Sequence, residues 1–350
     1  MNILVTGGAG FIGSYFVPLL QRGGHHVSIL DLVRPDFDSG SARIVVGDVR
    51  DARAVETAMA GCTRVLHLAA AHHDFGISEK TYYDVNERAS RILCDALDAA
   101  GVADACFYSS VAVFGDAPKP HDEGQTPAPT SPYGGSKLAG ERVFREWTER
   151  GGGRRCLVIR PTITFGVNNF ANMYSLIRQL ANRPFVPVGD GSNVKSLSYV
   201  ENIVDATMFL WDKPGRPAFD VYNYVEKPDL TSRQICETIL RALGKKPVSW
   251  HVPLWAACLA ALPFDLVIGL TGKNLPISSA RIRKLFSTVT LFEAEKVRRA
   301  GFVPRVPLRE GIEKMVRWYQ AEGCHKTPFW RTPPERVGGP VGRASMASAE

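Results

Sequence analysis

The chain has 350 residues, of which 45% are apolar and 22% charged, a balance typical of a globular protein and not of a disordered one. The formal net charge is +7, but the basic residues form no run of like charge, which argues against a nucleic-acid-binding protein. Seven cysteines without CxxC spacing indicate buried thiols in a reducing compartment, and the first apolar run leads into a glycine loop instead of a cleavage site, so the sequence predicts a cytoplasmic protein.

Short apolar runs alternate with helical patterns over the first 160 residues. Strands are predicted for the runs at 2–6, 26–31, 43–48, 64–69, 105–110 and 155–161. Helices are predicted at about 11–22, 82–100 and 133–150. Runs that are apolar at nearly every position are typical of strands covered on both faces. The alternation therefore predicts an α/β fold with a doubly wound parallel sheet of the Rossmann type.

The pattern changes after Pro161. Short strands are predicted at 196–200 and 221–225, and helices at about 173–182, 199–211, 231–243 and 305–320. We predict a first domain over 1–165, to which a strand near 220–226 returns, and a smaller, interleaved C-terminal α/β domain over 166–330. The tail 331–350 is rich in Pro, Gly, Ser and Ala, which predicts disorder.

The most apolar stretch covers residues 252–271. Pro263 and Asp265 interrupt it, so neither half reaches the ~20 residues that a bilayer span requires. The stretch predicts a buried helical hairpin, and the alternative is a patch that lies on a membrane surface. Lysines flank it on both sides, at Lys245, Lys246 and Lys273.

A glycine loop, TGGAGFIG, occupies residues 6–13 between the first predicted strand and helix. The spacing Gly7-x-x-Gly10-x-x-Gly13 is that of a dinucleotide-binding turn. Gly7 permits the tight turn, Gly10 lets the backbone approach a pyrophosphate, and Gly13 permits close packing of helix on strand. The positive end of the helix dipole then faces the phosphates.

Two carboxylates follow the next strands. Asp31 ends the second strand, where a carboxylate accepts hydrogen bonds from the adenosine ribose and repels a 2′-phosphate, so NAD is favoured over NADP. The nearby Arg34 weakens that inference. Asp48 follows the third strand and either meets the adenine amino group or caps the helix predicted at 51–60.

The catalytic candidates are Ser110, Tyr133 and Lys137. Tyr133 and Lys137 are four residues apart, so they share one face of a helix. A free tyrosine has a pKa of about 10, and a neighbouring ammonium lowers that pKa so that the phenol can act as a base at neutral pH. Ser110 ends the fifth strand, where it either orients the reacting oxygen or serves as a turn or cap residue.

Together these features resemble the extended short-chain dehydrogenase/reductase family, the nucleotide-sugar epimerases and dehydratases, over about residues 1–320. The motifs that carry the resemblance are TGGAGFIG (6–13), Asp31, GDVRD (47–51), LHLAA (66–70), VN (85–86), SSVAVFG (109–115), YGGSK (133–137), RPTITFG (160–166) and YVENIVDA (199–206).

The resemblance implies a catalytic triad of Ser110, Tyr133 and Lys137, and NAD as the cofactor. The residues implied to line the cofactor site are Gly7, Gly10, Phe11, Ile12, Gly13, Asp31, Asp48, Val49, Leu68, Ala69, Ala70, Asn86, Tyr133, Lys137 and Pro161. Those expected at the substrate are Ser110, Tyr133, Asn168, Asn169, Lys195 and Arg281, with Lys195 where the family commonly has an arginine against the nucleotide diphosphate.

Val111 and Ala112 follow Ser110, where the family's 4,6-dehydratases carry acidic residues and its decarboxylases a glutamate. Apolar side chains cannot transfer protons, which disfavours both reactions. What remains is reversible oxidation at one carbon, by a 4-epimerase or a 4-ketoreductase. A ketoreductase usually uses NADPH, so Asp31 favours a 4-epimerase of a UDP-hexose or UDP-N-acetylhexosamine. The alternatives are a 4-ketoreductase of a nucleotide sugar, an enzyme similar to 3β-hydroxysteroid dehydrogenases, or a non-catalytic NAD-binding regulator.

The same resemblance implies a homodimer formed through the helices near 82–100 and 133–150. No nucleic-acid partner is expected, and membrane-surface association through 252–271 is kept as an alternative. The segment HHD at 72–74 lacks further ligands at suitable spacing, so no metal site is predicted.

Overall fold

The computed structural model describes residues 1–72, 76–115, 119–271 and 290–345. Its centre is a seven-stranded parallel sheet with the strand order β10-β6-β5-β4-β1-β2-β3. The strands of this sheet are β1 (Asn2–Thr6), β2 (His26–Asp31), β3 (Arg43–Val46), β4 (Arg64–His67), β5 (Asp104–Tyr108), β6 (Arg155–Pro161) and β10 (Phe219–Tyr224). The strand predicted near 220–226 thus pairs with β6 in the main sheet.

Helices cover both faces of this sheet, as its continuous apolar strands predict. They are α1 (Gly13–Arg22), α2 (Ala52–Met59), α3 (Glu79–Tyr83), α4 (Ala89–Ala100), α5 (Pro132–Glu149) and α7 (Val200–Trp211), and a π-helical turn joins α3 to α4. Alternate residues of β1 enter different cores. Leu4 packs with α2, α4 and α5, whereas Ile3 and Val5 pack with α1 and α7.

The strand order creates a switch point between β1 and β4. From β1 the chain runs outward through β2 and β3, and it then crosses back to β4 on the other side. In open α/β sheets the crevice for a ligand lies at the carboxyl ends of the strands at such a point. The turn at Gly7 and the loop that begins at Leu68 meet there.

A second group of elements lies at the carboxyl ends of the strands. It comprises β7 (Ile163–Phe165), α6 (Asn172–Asn182), β8 (Val194–Lys195), β9 (Leu197–Tyr199), β11 (Leu230–Thr231), α8 (Ser232–Ala242), α9 (Leu254–Thr271) and α11 (Leu308–Ala321). The short helix α10 (Glu295–Arg299) instead packs against β10 in the core of the main sheet. A separate core joins α6, α8 and α11. Two short strand pairs, β7 with β9 and β8 with β11, complete this region.

Two predictions about the C-terminal half are wrong. Residues 252–271 were expected to form a buried hairpin, but Leu254–Thr271 is one helix that contains Pro263. The tail from Arg331 was expected to be disordered, but β12 (Phe329–Thr332) pairs with β13 (Gly342–Ser345) in an antiparallel hairpin. In the described part of the chain, no helix is long and apolar enough to cross a membrane.

Candidate active site

The glycine loop lies between β1 and α1, and its backbone needs glycine at two positions. Gly7 has φ +70°, and a Cβ there would lie 2.5 Å from the backbone nitrogen of Ala69. A Cβ on Gly13 would overlap the carbonyl of Gly8. At Gly10 the nearest atom to such a Cβ is the carbonyl oxygen of Gly7, at 3.1 Å. The loop therefore packs tightly on the protein side and is least crowded at Gly10, which fits the approach of a pyrophosphate.

Gly7→Ala should abolish retention of a bound dinucleotide, because its Cβ would force the turn away from the loop at Ala69. Gly24→Ala is the matched control, since Gly24 has φ +75° but no atom within 4 Å of the added Cβ. In both variants an alanine in the left-handed backbone conformation costs about 1–2 kcal/mol of stability. Only Gly7→Ala adds a steric clash, with the backbone of Ala69. Mass spectrometry of retained ligand and thermal melting compare them. Equal retention by the two variants would contradict the role of Gly7.

Asp31 ends β2 and faces the glycine loop. Its Oδ2 accepts a hydrogen bond from the N–H of Ala9 at 3.0 Å, and its Oδ1 accepts one from Val33 at 3.4 Å. Burial raises the pKa of Asp31, and the two backbone N–H groups oppose that rise. A carboxylate held beside the loop in this way fits the ribose of a dinucleotide.

Asp48 does not cap a helix, contrary to one of its two predicted roles. It accepts hydrogen bonds from the Arg50 guanidinium at 2.6 and 3.0 Å and from the Arg50 N–H at 2.9 Å. The residue that caps α2 is Asp51, which accepts the N–H of Arg53 at 3.0 Å. Asp48 and Asp51 are three residues apart, and the sequence alone does not show which of them caps α2. The path of the backbone places Asp51 at the cap position. Contact of Asp48 or Val49 with adenine stays a prediction.

Asn86 connects the loop after β4 to helix α5 by hydrogen bonds. Its side chain donates to the carbonyl of Ala71 and to Ser136 Oγ, both at 2.9 Å, and accepts the N–H of Ala71 at 3.0 Å. Ser136 lies between Tyr133 and Lys137 on α5 and donates to the carbonyl of Tyr133 at 2.9 Å. Asn86 is fully buried, and its hydrogen bonds connect Ala71, in the loop after β4, to Ser136 on α5.

Helix α5, which carries Tyr133 and Lys137, begins at a cap residue followed by a proline. Ser131 caps it by accepting the N–H of Gly134 at 3.1 Å, and Pro132 occupies its first turn. Tyr133 is half-buried in that turn, with its ring 6.3 Å from the ring of Tyr82. Lys137 follows one turn later. The helix thus presents a phenol and an amine in sequence along one side.

Lys137 is 2% exposed, and its Nζ donates to the carbonyl of Tyr108 at 2.7 Å, at the carboxyl end of β5. Burial lowers the pKa of Lys137 to about 7, and the nearby Glu141 carboxylate opposes that fall. The amine therefore lies at the end of the sheet where a ligand crevice forms.

Ser110 serves as a cap residue, one of its two predicted roles, and its role in orienting the reacting oxygen stays a prediction. Its Oγ accepts the N–H of Ala112 at 3.1 Å and caps a short 3₁₀ helix, Val111–Phe114. It follows β5 directly and is half-buried, so its hydroxyl hydrogen can still be donated to a ligand. Within the described residues, Val111 and Ala112 place no proton-transfer group beside it.

Sequence reasoning missed a buried ion pair next to Lys137. Glu141 accepts two hydrogen bonds from the Arg160 guanidinium, at 2.8 and 2.6 Å, and one from Ser109 Oγ at 2.5 Å. It lies four residues after Lys137 and eight after Tyr133, so the helical spacing that identified those two residues also points to Glu141. The pair connects α5 to β6 and to the residue before Ser110.

His67 is a second residue that the sequence did not single out. It ends β4 and is fully buried, with its Nδ1 2.6 Å from Thr6 Oγ1. Its ring stacks on Phe107 at 5.5 Å, and Lys137 Nζ lies 5.0 Å from the centroid of that same ring. Burial and the charge of Lys137 lower the pKa of His67 to about 3, so the imidazole is neutral.

Three of the predicted substrate residues, Asn168, Asn169 and Lys195, lie in the second group of elements. Asn168 has φ +65°, and its Oδ1 accepts a hydrogen bond from Lys326 at 3.2 Å, while Asn169 Oδ1 accepts the N–H of Ala171 at 2.9 Å. Lys195 is half-buried on β8, and burial followed by the charge of Lys119 lowers its pKa. Arg281 lies outside the described residues.

The other predicted cofactor residues include core positions and a strand end. Phe11, Ile12 and Leu68 pack against the core shared by α1 and α7, and Pro161 ends β6. Most of the HHD segment lies outside the described residues, and in the part that is described no group of acidic, histidine or cysteine side chains could hold a metal ion.

Comparison with known proteins gives concordant matches. A model of the NAD dependent epimerase/dehydratase family matches residues 3–224. The chain is 37% identical over 318 residues to N-acetyl-alpha-D-glucosaminyl-diphospho-ditrans,octacis-undecaprenol 4-epimerase of Escherichia coli O157:H7, covering 91% of this chain and 95% of that relative. It is 27% identical to a dTDP-glucose 4,6-dehydratase of Streptomyces niveus, covering 97% and 98%.

Solved structures match over almost the same length. A crystal structure of UDP-galactose 4-epimerase superposes with a TM-score of 0.70 at 25% identity, covering 92% of this chain and 99% of that one. The structure of MoeE5 in complex with UDP-glucose and NAD superposes with a TM-score of 0.71 at 25% identity and the same coverage.

Proposed function

The chain belongs to the NAD-dependent epimerase/dehydratase family, so NAD is its cofactor, and on that premise we propose that it inverts C4 of a hexose or N-acetylhexosamine carried on a diphosphate. The observation that carries this proposal is that Lys137 donates to the carbonyl at the carboxyl end of β5. Ser110 follows that strand, Tyr133 precedes Lys137 by one turn of α5, and the two residues after Ser110 carry no proton-transfer group. The carrier is UDP, as the sequence predicts, or a polyprenol, as in the Escherichia coli relative.

Each of the three side chains has a task in this reaction. Tyr133 removes the proton from the C4 hydroxyl and later returns it, and Lys137 stabilises the phenolate form. Ser110 donates a hydrogen bond to the C4 oxygen, which orients it. NAD, when bound, would supply the acceptor for the C4 hydride and the donor that returns it to the opposite face of the sugar. The overall reaction needs no external reductant.

Elimination of water, the reaction named for the dehydratase relatives, needs a further acid and base next to the sugar. The two positions after Ser110 hold apolar side chains in the 3₁₀ helix. This favours inversion over elimination, because Val111 and Ala112 cannot transfer protons.

Purified protein, with no added dinucleotide, should interconvert the C4 epimers of one of two substrates. One arm supplies UDP-N-acetylglucosamine, and the other supplies N-acetylglucosaminyl diphosphoundecaprenol in detergent; chromatography of the released sugar identifies the product. Turnover in one arm assigns the carrier. A 4-keto-6-deoxy product from dTDP-glucose, or oxidation of a hydroxysteroid with added NAD, would overturn the proposal in favour of the alternatives.

The exposed face of α9 supports a lipid carrier and a membrane-peripheral location. Trp255, Leu259 and Leu262 recur at helical spacing and are 68%, 55% and 52% exposed, whereas Cys258 and Ala261 of the same helix are buried. A helix that is apolar on its outer face is suited to the interface of a bilayer. Lys245 and Lys246, together with the net charge of +7, suit an anionic lipid surface.

Leu259→Glu should weaken binding to vesicles by about tenfold or more, because a carboxylate replaces a side chain that would enter the acyl boundary. The matched control is Val303→Glu, since Val303 is 77% exposed but lies outside α9. Co-sedimentation with phosphatidylglycerol vesicles measures both. Equal binding by the two variants, or none by the parent protein, would exclude α9 as a membrane contact.

We also propose a homodimer formed through α4 and α5, which the family resemblance favours. The chain has a mass of 38.4 kDa, so light scattering on the purified protein should give twice that value. A monomeric mass at micromolar concentration would contradict the dimer and leave the catalytic proposal standing.

A further inference from the structure

The C-terminal hairpin connects the second group of elements to the nucleotide end of the main sheet. At its start, Trp330 packs against the core of α6, α8 and α11. The guanidinium of Arg343 lies 3.8 Å over the ring of Phe329, which holds β13 against β12 in addition to their backbone pairing. The hairpin is therefore an ordered element with one fixed end.

Between its two strands the hairpin contacts the edge of the sheet that carries β2 and β3. Arg50 Nη2 donates to the carbonyl of Pro334 at 2.7 Å, and the Arg50 side chain is 1% exposed. Arg331 forms an ion pair with Asp36 at 3.5 Å. These contacts join residues that are almost 300 positions apart in the chain.

Asp31, the carboxylate suited to the adenosine ribose, precedes both contact residues in the chain, and Asp36 follows it by five residues. The charge of Arg331 is near enough to oppose the rise in the pKa of Asp31 that burial causes. Arg50 is itself held by Asp48, the other acidic residue predicted at the adenosine. The hairpin thus lies next to the part of the cofactor site that contains Asp31 and Asp48, where we expect the adenosine.

We propose that residues 329–345 form a strap across the adenosine end of the NAD site, which slows release of the cofactor between turnovers. A dinucleotide leaving past this edge requires the Arg50–Pro334 hydrogen bond and the Arg331–Asp36 ion pair to break first. A chain that uses the same cofactor to remove and to return a hydride benefits from such retention. The strap depends on the NAD site alone and not on the identity of the sugar.

The test measures release of bound NAD from the purified full-length protein and from a variant that lacks 333–350. This truncation removes the Pro334 carbonyl but keeps Trp330 in its core. Displacing bound fluorescent etheno-NAD with excess NAD gives the release rate. This rate should rise about tenfold or more in the truncated variant, because lost contacts change affinity mainly through the dissociation rate. A melting temperature within a few degrees of the parent value shows that the fold persists.

A charge reversal provides a second variant in case the truncated chain does not fold. Arg331→Glu places a carboxylate beside Asp36 and Asp31, so it should also accelerate release. Arg336→Glu is the matched control, because it makes the same change five residues further along the hairpin. Release as slow as in the parent from both the folded truncation and Arg331→Glu would overturn the strap, and so would equal acceleration by Arg331→Glu and Arg336→Glu. Because the readout is NAD release, a failed sugar assay does not affect this result.

Discussion

Tyr133→Phe should lower kcat for C4 inversion by about a thousandfold, within the range that a positioned general base contributes. The substitution removes only the hydroxyl, so the ring still packs 6.3 Å from Tyr82 and α5 keeps its cap at Ser131. Binding of NAD should persist, since the glycine loop and Asp31 are unchanged. Kinetics with the preferred sugar and mass spectrometry of retained NAD separate the two effects.

Tyr82→Phe is the matched control, because it deletes a hydroxyl from the neighbouring buried ring. That variant should stay within a few-fold of the parent kcat. If Tyr133→Phe retained full activity, or if both variants lost the same fraction, the phenol would not be the base. Loss of NAD along with activity would instead indicate that Tyr133 acts through the cofactor site.

Local sequence signals were sufficient for the fold, the family and the cofactor, whereas the roles of the individual site residues stay predictions. The main strands lie within two residues of their predicted bounds, because continuous apolar runs are what a sheet covered on both faces requires. The family, the parallel sheet and NAD are confirmed by the family match and the superposed structures. The glycine spacing and the Tyr133–Lys137 spacing each depend on one turn of backbone, so a short window of sequence contains them.

What the sequence could not supply depends on contacts between distant residues. Arg50 meets Pro334 across 284 positions, and nothing local to residues 331–345 indicates that partner. The prediction of a buried hairpin at 252–271 was wrong for a related reason. A continuous apolar run does not indicate which of its side chains pack against a core and which are exposed. Proline within a helix removes one hydrogen bond, and it did not end α9 at Pro263.

Glu141 takes no part in the proposed reaction, but it forms the buried ion pair with Arg160 next to Lys137. Glu141→Gln should lower the free energy of unfolding by about 3–5 kcal/mol, because it leaves the Arg160 guanidinium buried without its counter-charge. The two side chains are 4% and 5% exposed, so water cannot replace the lost partner. Chemical denaturation of the parent and the variant measures the difference. Glu237→Gln is the control: Glu237 pairs with Arg233 on the surface, where such pairs contribute less than about 1 kcal/mol.

The same variant should move the pH profile of the reaction. Glu141 opposes the burial that lowers the pKa of Lys137 to about 7, so removing its charge lowers that pKa further. If the ammonium form is required, activity will then fall at a lower pH on the alkaline side, whereas a purely structural role would reduce activity equally at all pH values. The double variant Glu141→Leu with Arg160→Met should recover most of the stability, because apolar groups can replace a buried pair, but not the parent pH profile. Recovery of both would show that Glu141 acts on folding alone.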